Sequence, residues 1–215
     1  MGQTDVRGRF ITLEGGEGVG KSTQIHLLAD WLAARGITSM LTREPGGSKG
    51  AEAIRELLVT GEPGRWDAVT EALLMNAARR DHVVRTICPA LKAGVWVLCD
   101  RFHDSTMVYQ GHAGGVPAEI LRALVNAAIG DTRPDLTLVL DLDTDVGLDR
   151  AVNRADGESR FERKGAAFHS AVTGGFRAIA AAEPERCALI DASGSAATVS
   201  ARIISVVRAR LKVTP

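Results

Sequence analysis

Short apolar runs alternate along the chain with longer segments whose apolar residues recur every three or four positions. Residues 10–14 (Phe-Ile-Thr-Leu-Glu) read as a buried strand stopped by Gly15 and Gly16; Ile25, Leu27, Leu28, Trp31 and Leu32 then follow at helical spacing as far as Gly36. A second strand, 38–42, gives way to Arg43-Glu44-Pro45-Gly46-Gly47-Ser48, where proline and glycine impose a loop before a helix carrying Ile54, Leu57 and Leu58. The helical pattern resumes over 66–91, and a third strand, 95–100, ends in a carboxylate, Asp100. Helical segments near 118–128 and 146–155 flank a fourth strand, 136–142; a short strand at 188–190 precedes an amphipathic helix through Val199, Ile203, Val206, Val207 and Leu211. Strands alternating with helices predict a parallel sheet covered on both faces, a three-layer α/β arrangement whose ligands bind outside the carboxyl ends of the strands.

At 215 residues the chain reads as a single domain, 1–215, with no repeat or linker. Residues 153–163 are polar and arginine-rich, which marks an exposed loop or lid at about 153–165. The 26 Lys and Arg cancel the 26 Asp and Glu, so no global field draws the chain to nucleic acid or to an anionic membrane. Cys88, Cys99 and Cys187 are an odd set at wide spacings, which argues against a zinc site or a disulfide framework. No stretch approaches the roughly 20 apolar residues of a membrane span, so the expected location is the cytoplasm.

The chemistry starts at Gly15-Gly16-Glu17-Gly18-Val19-Gly20-Lys21-Ser22, which fits G-x-x-x-x-G-K-[ST] between a predicted strand and a predicted helix. Glycines let successive backbone N–H groups converge on phosphate oxygens, Lys21 reaches the β- and γ-phosphates, and the Ser22 hydroxyl is the Mg²⁺ ligand of such loops. The fold class is therefore a P-loop NTPase fold with a five-stranded parallel sheet, flanking helices and a short helical or loop lid. No N-K-x-D guanine reader occurs, so a GTP switch is disfavoured and a small phosphotransferase remains. Asp100 is placed to hold the magnesium hydration shell, and Arg101 to lie against a transferring or acceptor phosphate, which a guanidinium binds bidentately.

The set formed by residues 14–23, 42–48, Asp100-Arg101, 105–111 (Ser-Thr-Met-Val-Tyr-Gln-Gly) and 133–137 (Arg-Pro-Asp-Leu-Thr) resembles the bacterial thymidylate kinases, collinearly from about Phe10 to Leu211. The resemblance implies transfer of the γ-phosphoryl group of ATP to dTMP with Mg²⁺, by a cytoplasmic homodimer. It implies that residues 15–23, including Thr23, hold ATP and that Glu17 lies near the acceptor sugar 3′-OH and the metal shell. Arg43 matches a position on the acceptor monophosphate and Arg79 the arginine that reads the thymine edge. Arg101 matches the arginine between donor and acceptor phosphates, Ser105 and Thr106 the pair near thymine N3, and Tyr109 the tyrosine under the deoxyribose. One position departs from the family: the Phe that stacks on the base is Met75 here, whose thioether packs against an aromatic face for about 0.3–1.5 kcal/mol.

The family it resembles keeps a catalytic arginine either among the variable loop positions or in the lid; Gly16, Glu17, Gly18 and Val19 contain none, so the resemblance implies a lid arginine, with Arg154, Arg160 and Arg163 as the candidates. Arg160-Phe161-Glu162 resembles the family's Arg-x-Glu lid segment, and Arg154 fits the first lid arginine about as well. No general base is needed, because an acceptor phosphate with a second pKa near ~6 is mostly dianionic at neutral pH. The residues alone leave two other readings open: a nucleotide or deoxynucleoside kinase of different acceptor preference, and a nucleotide-binding regulator without transfer.

Overall fold

The computed structural model describes residues 7–62, 64–152, 161 and 164–213. In chain order, β1 (Phe10–Glu14) leads into α1 (Lys21–Ala33) and β2 (Ser39–Arg43). Helices α2 (Lys49–Val59) and α3 (Ala68–His82) follow; α3 runs through a π-helical segment, Val83–Ile87, into α4 (Cys88–Lys92). Next come β3 (Trp96–Asp100), the one-turn α5 (His103–Thr106), a second π-helical segment (Met107–His112) and α6 (Ala118–Ile129). The chain ends with β4 (Leu136–Asp141), α7 (Thr144–Val152), α8 (Ala166–Ala182), β5 (Cys187–Asp191) and α9 (Ala196–Leu211).

The five strands form one parallel sheet in the order β2-β3-β1-β4-β5, within a three-layer α/β fold. All five residues of β1 are buried, as expected of a central strand covered on both faces, whereas the edge strand β5 leaves Leu189 half exposed. One face packs Ile11, Leu13, Leu98, Leu138 and Leu140 against α1 and α9 through Ile25, Leu28, Val199, Ile203 and Val207. The other packs Phe10, Val97 and Cys99 against Val83, Ile87, Leu91 and α6. After β1 the chain builds β2 and β3 on one side and then crosses to β4 on the other, so a crevice opens at the carboxyl end of β1.

The structure differs from the sequence pattern mainly over 66–91. One helix was the expectation; the observed helix starts at Ala68, capped by the Asp67 carboxylate, and widens to π geometry before Pro89. Proline supplies no N–H and its ring crowds the preceding turn. The Cys88 N–H reaches back to the Val83 carbonyl, five residues away, and this wider turn accommodates Pro89 within a continuous helical path. The segment around 105–111 likewise holds one α turn and a π turn. Residues 153–155 of the expected fourth-strand helix lie outside the described residues.

Candidate functional site

The turn from β1 into α1 is built on left-handed glycines. At Gly15, with φ +135°, a Cβ would stand 2.5 Å from the Leu140 carbonyl oxygen, so only glycine lets the loop leave the sheet here. The loop folds over Lys21, whose Nζ donates to the carbonyls of Gly16 (2.7 Å) and Gly15 (3.3 Å). Burial, and after it the charge of Arg101, push the Lys21 ammonium down to about 8 against the pull of Asp100 and Glu17. The Ser22 hydroxyl donates to Asp100 Oδ2 at 3.1 Å, so the first turn of α1 meets the end of β3.

Arg101 occupies a turn that side chains rarely adopt, at φ +66°. Its own N–H bonds the Leu13 carbonyl, and the next N–H, of Phe102, donates to Glu14 Oε1 at 2.7 Å. Glu14 Oε2 takes the Ser105 hydroxyl at 2.6 Å, so one buried carboxyl closes the loop from both ends. Burial, and then Asp104, push that carboxyl up to about 8, with Ser105, Arg101 and the Phe102 N–H opposing. The turn aims the guanidinium at Glu17 Oε1 (2.9 Å), the Gly15 carbonyl (2.9 Å) and Ser105 Oγ (3.3 Å), with the Tyr109 ring beneath it. Tyr109 donates its hydroxyl to the same Glu17 oxygen at 2.8 Å. Burial raises the Glu17 carboxyl, yet Arg101, Lys21 and the Tyr109 hydroxyl outweigh it and hold Glu17 down at about 2.

A cleft of about 300 Å³ runs from this centre toward α3. Lys21, Ser22, Asp100, Glu17 and Gly18 line its phosphate-loop end. Arg101, Tyr109 and Ser105 follow beside Glu17, and Met75, Arg79, Thr106 and Arg43 line it as well. Arg79 is buried; its Nε donates to Glu44 Oε2 (2.7 Å), Nη1 to Asn76 (3.0 Å) and Nη2 to the Phe102 carbonyl (3.1 Å). Thr106 is buried at the cleft wall and its Oγ1 has no hydrogen-bond partner among the described residues. Arg43 sits at the rim, ion-paired to Glu52 at 3.4 Å. A second cavity, about 320 Å³, adjoins the same loop and is lined by Val19, Gly20, Thr23, Gln24, Arg150 and Gly194 among others.

Sequence reasoning missed Glu44, Phe102, Arg55, Gln110 and Phe161, all of which line the cleft. Glu44 stands inside the quoted 42–48 motif, but its partner is 35 residues away, a separation no local pattern encodes. Arg154, Arg160 and Arg163 lie outside the described residues; Phe161, next to Arg160, stacks edge-on against Tyr109 at 5.8 Å.

The chain matches a family model described as "Thymidylate kinase" over residues 13–203. It is 55% identical to a thymidylate kinase of Afipia carboxidovorans over 95% of this chain and 91% of that protein. It is 56% identical to one of Caulobacter vibrioides over 95% and 98%. Among solved structures, the thymidylate kinase of Ehrlichia chaffeensis superimposes with a TM-score of 0.76 at 33% identity, covering 94% of this chain and 99% of that one.

Proposed function

Because the chain belongs to the thymidylate kinase family and catalyses the ATP-dependent phosphorylation of dTMP, we propose that transfer occurs in the cleft between Lys21 and Arg79, with Arg101 at the point of transfer. The observation that carries this reading is the position of Arg101, bonded to the phosphate loop at Gly15 and Glu17 while lining the same cleft as Arg79 and Thr106.

In this reading residues 15–23 cradle the ATP phosphates, with Lys21 on the β- and γ-groups and the second cavity taking the donor nucleoside. Arg43 meets the acceptor phosphate. Arg79 and Thr106 offer hydrogen-bonding groups to the thymine edge, Ser105 supports them, and Met75 faces the ring. Tyr109 packs under the deoxyribose beside Glu17. The hydroxyl and carboxylate oxygens of Ser22 and Asp100, 3.1 Å apart beside the loop, are the hard donors that suit Mg²⁺. When bound there, Mg²⁺ neutralises β- and γ-phosphate charge. Lys21, at about 8, still carries its charge at neutral pH, and Arg101 is locked in its charged form by Glu17. The dianionic acceptor attacks in line without a general base, so these residues act by positioning and by neutralising charge.

The lid, 153–165 within one domain of 1–215, supplies a further arginine, Arg154 or Arg160, and excludes water on closing. A cytoplasmic homodimer completes the reading. Half-exposed Val69 and Leu73 of α3, with Val84 beyond them, are the surface proposed to pair, and no described helix is long and apolar enough to cross a membrane.

ADP release with ATP and Mg²⁺ against dTMP, dUMP, dCMP, dGMP, UMP and thymidine, with an acceptor-free control, tests the cleft assignment. Fast turnover with dTMP and weaker turnover with dUMP is expected. Preferred turnover with thymidine would overturn the acceptor-phosphate roles.

A further inference from the structure

We propose that His82 is a positioning residue for the acceptor base, acting through Glu44 to fix the plane of the Arg79 guanidinium. The proposal rests on the reading of Arg79 as the arginine that meets the base.

His82 ends α3 with no solvent exposure and does not line the cleft. Its Nδ1 lies 3.0 Å from Glu44 Oε1 and its Nε2 lies 2.7 Å from Thr42 Oγ1. A carboxylate oxygen only accepts, so Nδ1 carries the proton and donates to Glu44; in the neutral ring Nε2 then accepts from the Thr42 hydroxyl. Glu44 is held from one side by His82, and its second oxygen takes the Arg79 Nε–H at 2.7 Å. Asn76 and the Phe102 carbonyl take one N–H from each terminal nitrogen. Three of the five guanidinium donors are thereby committed in three directions, which leaves two on a side chain that lines the cleft. Without the His82 donor, the Glu44 carboxylate keeps only its bond to Arg79 and is free to turn, and the guanidinium plane turns with it.

A second observation supports the relay. Gly47, at φ +83°, passes directly over it: a Cβ there would stand 2.3 Å from His82 Nε2 and 2.5 Å from Thr42 Oγ1. Thr86, in the π-helical segment after His82, donates to the Gly47 carbonyl at 2.7 Å and holds the loop down. Strand β2, the 44–48 loop and α3 therefore meet on this one imidazole.

The test uses His82→Asn, which keeps a donor near the place of Nδ1, His82→Gln, which keeps one near Nε2, and His82→Leu, which keeps neither. With Arg79→Lys in parallel, KM for dTMP, KM for ATP, kcat and Tm are measured for each. We expect His82→Asn to keep KM for dTMP within about threefold of wild type. His82→Gln and His82→Leu should raise it about tenfold or more, the scale of a lost hydrogen bond to a charged group, with KM for ATP and kcat little changed. A KM for dTMP that follows Tm rather than donor position, or is equal in all three variants, overturns the proposal. An unchanged KM in Arg79→Lys instead overturns the base-site reading beneath it. If the His82 variants do not fold, Thr42→Val carries the test: a several-fold rise in KM for dTMP alone supports the relay, and no rise refutes it.

Discussion

Two of the guanidinium groups that line the cleft are held by carboxylates far from them in the chain: Arg101 by Glu17, 84 residues away, and Arg79 by Glu44, 35 away. These pairs are largely or fully buried, where an unpaired charge would cost several kcal/mol, so their directions are fixed before any nucleotide arrives. The arginines themselves were legible in the sequence, Arg101 from the end of a strand and Arg79 from the family resemblance. Their holders were not, because side-chain pairs between elements leave no period in the chain. Met75 is the residue whose effect is most open to measurement. It lines the cleft at the position where the family resemblance implies a stacking ring, so on the proposed base site Met75→Phe should lower KM for dTMP about two- to tenfold, equivalent to ~0.5–1.5 kcal/mol of ring stacking. Steady-state kinetics with dTMP and dUMP check this, and an unchanged KM would mean that another side chain covers the base.

Elements whose apolar period is uninterrupted appear close to where the sequence puts them: β1 spans 10–14 as expected, and β4 and β5 shift by only a residue or so at their ends. The pattern fails where helix geometry departs from 3.6 residues per turn. The π segments Val83–Ile87 and Met107–His112 keep apolar residues at nearly helical spacing, so periodicity does not reveal them, although Pro89 marks the first. Their effect is local and specific: one brings Thr86 under the 44–48 loop at Gly47, and the other carries Tyr109 and Gln110 into the cleft. The loop itself is constrained at Gly47. Gly47→Ala adds a Cβ against His82 and Thr42 in left-handed backbone, and should cost about 2–5 kcal/mol of stability while raising KM for dTMP. Urea unfolding with parallel kinetics measures both, and a variant as stable as wild type would show that the loop yields.

At the scale of the molecule, balanced charge leaves no global field toward nucleic acid or membrane, and the order of motifs points to the carboxyl ends of the strands, where the sheet order reverses; the sequence left open how the centre's charges settle against one another. Glu14 is raised to about 8 in the fold, so between about pH 4.5 and 8 the unfolded chain has released a proton that the folded chain keeps. Glu14 therefore makes stability fall as pH rises through this window. Glu17 has the opposite sign: held at about 2, it stabilises above pH 4.5 and loses that contribution as pH falls toward 2. Lys21, lowered to about 8, destabilises the fold below that pH and ceases to do so between about 8 and 10.5. Urea midpoints across pH 5–8 should fall more steeply for wild type than for Glu14→Gln, and parallel slopes would contradict the buried-carboxyl account. The central claim is that Arg101 acts on the transferring phosphate, and single-turnover transfer from saturating ATP to saturating dTMP in Arg101→Met, with separate titrations of each nucleotide, tests it most directly. A rate about 100-fold or more below wild type, with dissociation constants within about fivefold, is the predicted result. A normal rate at saturation with weakened binding would make Arg101 a binding residue only and contradict the account.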